Sequence, residues 1–228
     1  KWSRLSLNSK FILTMEAILI PLGMIVYYLL EGDNPATMGS LTTVEKWQTA
    51  FFMSLSSRLA GFTLFDIHAM MSATVLIVMV FMFIGAAPVS TGGGIRTTTM
   101  GLLLFSLWTW VRGRKKVVLF HKQVNPDCLV KASNVFTLAM VLTFFTALFV
   151  FLLEPANFNF EDALFESVSA FSTVGFSMGL TNEWNTSCKI VLMIAMFIGR
   201  IGVMTLAVAF ATSSDTSIQY PKENIVIG

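Results

Sequence analysis

The sequence predicts an all-α integral membrane protein built of two tandem helix–pore-loop–helix repeats. Three observations carry this. Of 228 residues, 55% are hydrophobic and only 12% are charged, with a mean hydropathy of +0.73; an ordinary soluble domain carries about 25% charged residues. Four segments are apolar over roughly 20 residues or more, the length that crosses a bilayer. The chain also repeats itself. Gly61-Phe62 recurs as Gly175-Phe176, and Met82-Phe83-Ile84-Gly85 recurs as Met196-Phe197-Ile198-Gly199, both at an offset of 114 positions. Two separate regions sharing one spacing mark a duplicated unit.

The first apolar span is Phe11–Leu30. After it, Thr42-Thr43-Val44-Glu45 has the Thr-x-x-Glu pattern of a capping box. It opens a short apolar segment, Val44–Ser57, too short to span. The second span runs from Ala69 to Trp110. As one helix it would extend about 63 Å at 1.5 Å per residue, twice the roughly 30 Å hydrocarbon core. It must therefore break, and Pro88 with Gly92-Gly93-Gly94 supplies the break.

A basic connector follows, carrying Arg112, Arg114, Lys115, Lys116, Lys122 and Lys131. Within it, Val117-Val118-Leu119-Phe120 suits either a hairpin strand or plain loop. The third span is Ser133–Leu153 and the fourth Ser187–Thr212. Between them Asn159, Glu161 and Asp162 open a second short segment, Phe160–Phe171, with acids in its first turn. Ala50, Phe52, Ser54 and Ser56 match Ala163, Phe165, Ser167 and Ser169 with one residue of slippage against the 114 offset. The predicted units are 1–116, a connector 117–132, and 133–228.

Charge orients the spans. Lys1, Arg4 and Lys10 and the basic connector belong inside by the positive-inside rule. The other loops carry Glu31, Asp33, Glu45, Asp66, Glu154, Glu161, Asp162 and Glu183 and belong outside. Both short segments then read as re-entrant half-helices that start outside and point their C-terminal, negative ends into the membrane, where they favour a cation. Ser172-Thr173-Val174-Gly175-Phe176-Ser177 follows the second of them. It has the layout of a selectivity filter, whose backbone carbonyls replace the hydration shell of an ion.

These features resemble the Trk/Ktr/HKT superfamily of cation-uptake proteins, whose members have four such repeats around one pore. The present chain matches the third and fourth. Ser90-Thr91-Gly92-Gly93-Gly94-Ile95-Arg96-Thr97-Thr98-Thr99 is similar to the family's Gly-rich break in the third repeat, with Arg96 where Lys is more usual. Tyr220–Gly228 resembles the tail of the bacterial Ktr membrane subunit. In Arg58-Leu59-Ala60-Gly61-Phe62-Thr63 the family more often has Thr before Ala-Gly-Phe and Asn after it.

The resemblance implies potassium uptake across the cell membrane as an expectation. Leu59, Ala60, Gly61 and Phe62 form one filter loop and Thr173, Val174, Gly175 and Phe176 the other. Potassium, the transported ion, would meet the carbonyls of Ala60, Gly61, Val174 and Gly175. The loop from Ser90 to Thr99 acts as an intramembrane gate. It also implies a homodimer, a cytoplasmic nucleotide-binding regulatory ring as partner, and two further repeats in a longer chain. The N-terminus of this segment and its C-terminus are then cytoplasmic. A sodium-conducting or Trk-type relative, or a non-conducting subunit, stands as the alternative.

The remaining polar residues sort by environment. Arg200 falls within the fourth span, where a charge costs at least about 2.5–3.5 kcal/mol. It either braces helix to loop or places positive charge on the cavity wall. Arg58, just before a filter glycine, reads as a backbone brace, and Glu166 as a brace for its half-helix. Asp66 is placed at the outer mouth, where acids concentrate cations. Glu16 receives no specific role. His68 and His121 lack metal-spaced partners. Cys128 and Cys188 fall on opposite membrane sides and cannot pair. No span carries a nucleophile–base pair, paired carboxylates or a metal cluster, so the sequence argues against an enzyme, and nothing in it suggests nucleic-acid binding.

Overall fold

A first amphipathic stripe sets the frame. In the computed structural model, α1 covers Leu7–Glu31 and buries Phe11, Met15, Leu19, Gly23, Tyr27 and Glu31. That is one residue every four, a single helical face. Its other side leaves Leu13, Ile18, Leu22, Ile25 and Leu29 exposed, a surface that a water-soluble protein would cover. Residues 4–88, 90, 92–114, 116–153, 159–179, 181, 184–202 and 205 are described, with backbone alone at Leu59.

The elements after α1 are α2 (Thr43–Leu59), a 3₁₀ turn (Ile67–Ala69), α3 (Ser72–Phe83), α4 (Thr97–Val111), β1 (Val118–Leu119), β2 (Lys122–Gln123), α5 (Pro126–Leu153), α6 (Phe160–Ser172) and α7 (Thr186–Ile201). α1 packs on α2, α3 and α4, while α5, α6 and α7 pack on one another. The two groups meet through α3 against α6 and α4 against α5. Gly23 leaves room for Ser54 of α2 to reach the α1 backbone, where its hydroxyl donates to the Ile20 carbonyl at 2.8 Å.

One buried cluster joins both groups, uniting Tyr27, Met53, Val78 and Met82 with Phe165, Phe171 and Phe176. α6 lies deepest and buries every residue from Asp162 to Ser172 except Leu164. Small residues make the α5 contact close: its buried face is Ala132, Ala139, Thr143, Ala147 and Val150.

The long second span breaks as its length demanded, into α3 and α4. The break is a closed excursion, not a kink. Ile84 and Ile95 pair as a parallel bridge, the Ile95 N–H donates to the Phe83 carbonyl at 3.3 Å, and that of Thr97 to Ala86 at 3.4 Å. The chain thus leaves the helix and returns to almost the same point. Gly85 permits this closure, because a Cβ there would strike the Gly93 carbonyl.

Several boundaries differ from expectation. α5 begins at Pro126, inside the predicted 117–132 connector. Pro suits the first helical position, and Asn125 caps it by accepting the Asp127 N–H at 3.1 Å. The connector resolves as a hairpin, β1 paired antiparallel to β2, with Phe120 and His121 at φ 47° and 64°, the twist that favours two-residue hairpins. Thr97, Thr98 and Thr99, predicted as loop, form the first turn of α4. In the fourth span α7 ends at Ile201, capped by Gly202 at φ 91°. Arg200 therefore lies in a last helical turn rather than at mid-helix. Most of the rest of that span (203, 204 and 206–212), the Tyr220–Gly228 tail, Thr91, Lys115, Glu154 and Glu183 lie outside the described residues.

Candidate functional site

The two short half-helices end side by side. α2 is started by Glu45, whose carboxylate accepts both the Thr42 N–H and the Thr42 hydroxyl at 2.8 Å. Those two donors hold the Glu45 carboxyl below its ordinary range. α6 is started by Asp162, which accepts the Asn159 N–H at 3.0 Å.

At their far ends the chain turns through left-handed backbone: Gly61 at φ 67°, Thr173 at 52° and Gly175 at 94°. A Cβ on Gly61 would strike the Val174 carbonyl oxygen and lie 3.1 Å from the Gly175 Cα. The two glycine loops therefore touch main chain to main chain, a distance only glycine allows. Of the two loops read as a filter, Leu59–Phe62 and Thr173–Phe176, the structure brings Gly61 against Val174 and Gly175.

Each loop is pinned by the same device. Ser56 donates to the Phe62 carbonyl at 2.5 Å, and Ser169 donates to the Phe176 carbonyl at 2.6 Å. The helix ends match too: the Gly61 N–H donates to Ser56 O at 3.2 Å, and the Val174 N–H to Ser169 O at 3.1 Å. The slippage between the repeats is thereby located. The second loop holds one more residue between the matched serine and phenylalanine, and it falls after Val174, beyond the matched helix ends.

The loop between α3 and α4 docks under this assembly. The Gly93 N–H donates to Thr173 Oγ1 at 2.7 Å. A Cβ on Gly93 would meet the Gly199 carbonyl of α7 at 3.0 Å, and one on Gly94 would meet Ser172 Cα at 3.3 Å. Gly199 in turn lets α7 close onto the Phe171 carbonyl. Gly92 and Gly93 are buried, and Ser90, Gly94 and Arg96 are half-buried. Arg96 reaches the Ala87 carbonyl at 3.4 Å. Arg200 is exposed beside Gly199.

Charged residues brace these loops. Arg58 pairs with Glu16 through its two terminal nitrogens, Nη1 and Nη2, the latter at 2.9 Å, and Nη2 also donates to the Gly85 carbonyl at 3.2 Å. Arg58 was expected as a brace with no named partner, and Glu16 had no expected role. A pair 42 positions apart has no local signal. Glu166 accepts the Ser177 hydroxyl at 2.7 Å and the Met178 N–H at 2.8 Å, the brace expected of it. Glu31, expected in an outer loop, is fully buried and accepts from Asn34 and Thr37 at 2.7 Å and from the Met71 N–H at 3.0 Å. Exposed Asp66 caps the 3₁₀ turn by accepting the His68 N–H at 3.0 Å. Cys128 is exposed on α5, and Cys188 is buried on α7, where its Sγ–H donates to the Val150 carbonyl at 3.8 Å.

The electrostatics of the half-helices differ. α2 carries Arg58 in its last turn, its charge met by Glu16. α6 has no basic residue in its last turn, where the Thr173–Gly175 loop begins.

The chain is 39% identical over 225 residues to the "Ktr system potassium uptake protein B" of Vibrio alginolyticus, covering 98% of this chain and 49% of that protein. It is 34% identical to the protein of the same name in Bacillus subtilis, covering 100% of this chain and 51% of the relative. The "Potassium/sodium uptake protein NtpJ" of Enterococcus hirae is 32% identical, with 99% and 51% covered. The chain thus spans about half the length of these curated relatives. Its fold matches the crystal structure of the potassium transporter TrkH from Vibrio parahaemolyticus with a TM-score of 0.72 at 20% identity, over 87% of this chain and 43% of that one. The family model described as "TrkH: Cation transport protein" matches residues 3–220, and the chain belongs to that family.

Proposed function

We propose that this chain forms half of the pore of a potassium-uptake protein of the cell membrane. Ions pass from outside through the facing Ala60–Phe62 and Thr173–Phe176 loops, past the Gly-rich loop, and into the cell down their electrochemical gradient. The observation that carries this reading is the meeting of two glycine loops, main chain to main chain, at the inner ends of two half-helices. Carbonyls of Ala60, Gly61, Val174 and Gly175 supply the oxygens that replace water around potassium.

The loop from Ser90 to Arg96 is the gate. Its docking under Thr173 supports that role, since irregular backbone at membrane depth is tolerated where it is buried in protein or lines a watery cavity. Arg200, next to Gly199 at the floor of the site, adds positive potential that restrains flux. The relatives named as Ktr potassium uptake proteins support the substrate. By the same likeness the whole protein holds two more repeats, dimerises, and takes a cytoplasmic nucleotide-binding ring as regulator. The segment's N- and C-terminal ends face the cytoplasm.

A second reading is favoured by one observation. A relative of comparable coverage is named a potassium/sodium uptake protein, and the third-repeat loop here carries Leu59 and Thr63 around Ala-Gly-Phe. Sodium permeation is then part of the activity. Reconstituting the full-length protein in liposomes and measuring potassium and sodium flux separates the two. Potassium flux well above sodium supports the first, comparable fluxes the second, and no flux of either refutes both.

A further inference from the structure

Thr173 serves two elements at once. Its backbone begins the filter loop, in a left-handed conformation at φ 52° and ψ 37°. Its side chain accepts the Gly93 N–H at 2.7 Å. Its counterpart is Ala60, the C-cap of α2, which has no hydroxyl and stands in right-handed backbone. Of these two cap residues only Thr173 carries a hydroxyl to offer the Gly-rich loop.

The fit on the loop side is close. A Cβ on Gly93 would lie 2.9 Å from both Oγ1 and Cγ2 of Thr173. The neighbouring Gly94, at φ 72°, lies over Ser172, whose Oγ would be 3.1 Å from a Cβ there. The loop has a second anchor remote from Thr173. Arg58 holds Gly85 at the loop's base while itself paired to Glu16. The base is thus tied to α1 and α2, and its tip to α6 through this single hydrogen bond among the described residues.

We propose that the Thr173 hydroxyl is the catch of the gate. It holds the tip of the Gly-rich loop against the inner end of the filter, and release of the Gly93 N–H accompanies opening. This rests on the reading of that loop as a gate. A contact made only in the docked state shifts the docked-to-undocked ratio by its own differential strength and no more. For one neutral hydrogen bond the shift is roughly fivefold.

The test uses the full-length protein in liposomes, with potassium flux per folded protein and the potassium-to-sodium ratio as readouts. Thr173→Val keeps the shape and the β-branching but removes the acceptor. The expected result is a roughly fivefold higher flux below maximal opening. Thr173→Ser keeps an acceptor and restores the restriction. If Thr173→Val does not fold, Thr173→Gly removes the hydroxyl while suiting the left-handed backbone, and the same rise is expected. In protein lacking Gly92–Gly94, Thr173→Val adds nothing further. Three outcomes overturn the proposal. If the deletion raises flux but removal of the hydroxyl does not, the gate stands and the catch falls. If the deletion itself leaves flux and regulation unchanged, the gate reading fails and the catch with it. If removal of the hydroxyl alters selectivity and not flux, Thr173 is a filter wall.

Discussion

Removing the Glu16 carboxylate should strand a buried charge. Arg58 is buried, its side chain 6% exposed, and Glu16 is 24% exposed. With charges about 4 Å apart at an effective dielectric of about 20, the attraction is about 4 kcal/mol. Breaking a buried pair by removing one partner costs about 3–5 kcal/mol, because the other charge is left uncompensated. Glu16→Ala in the full-length protein should lose that much in detergent–SDS unfolding. Glu16→Ala with Arg58→Leu should recover most of it, because no charge is then stranded. Arg58→Leu should also loosen the base of the Gly-rich loop, since the Gly85 carbonyl loses its donor. A double variant as unstable as the sum of the two singles would refute the reasoning, as it would mean the partners act independently.

Glu31→Ala should remove the acceptor of the part-buried Thr37 hydroxyl and Met71 N–H, while Asn34 keeps its bond to the Ala69 carbonyl. At about 1 kcal/mol for each lost hydrogen bond, a loss of about 2 kcal/mol is expected in the same unfolding assay, with Glu31→Gln milder. Glu45 carries a depressed carboxyl, so its contribution is present above the unfolded carboxylate range and is lost as pH falls through the folded value. Hydrogen-exchange protection at the first turn of α2, corrected for the intrinsic rate, should therefore fall on acidification, and Glu45→Gln should remove that pH dependence of protection. Arg200→Ala should raise potassium flux per folded protein while Arg200→Lys preserves the restriction. Two like charges 8 Å apart at an effective dielectric of about 20 repel by roughly 2 kcal/mol, about thirtyfold in rate. A well-folded Arg200→Ala that carries less potassium would remove that role.

Much of this architecture was legible because membranes and glycine impose strict rules. A 42-residue apolar run cannot be one helix in a 30 Å core, so the break at Pro88–Gly94 followed from length alone. The duplicated Gly-Phe and Met-Phe-Ile-Gly motifs placed both loops before any contact was known. Pairings between remote positions were not legible. Nothing local to Glu16 announces Arg58, and nothing in Glu31 distinguishes a buried clamp from an outer-loop acid. Helix ends were missed where capping outweighed hydropathy: Asn125-Pro126 starts α5 among polar residues that an apolar window passes over. The single-residue slippage was visible in the alignment of the repeats, but its place after Val174 was not. Only the left-handed turn shows that Thr173 brings a hydroxyl to Gly93.

The central claim is that Gly61 and Gly175 shape one cation filter. Its most direct measurement is the potassium-to-sodium permeability ratio of the full-length protein carrying Gly61→Ser or Gly175→Ser. Both positions have positive φ, where a side chain strains the backbone, and at Gly61 a Cβ would strike the Val174 carbonyl. The account predicts that both substitutions lower the ratio at equal membrane expression, with Gly61→Ser the more severe because its Cβ has no room. Potassium and sodium fluxes unchanged in both variants would contradict it.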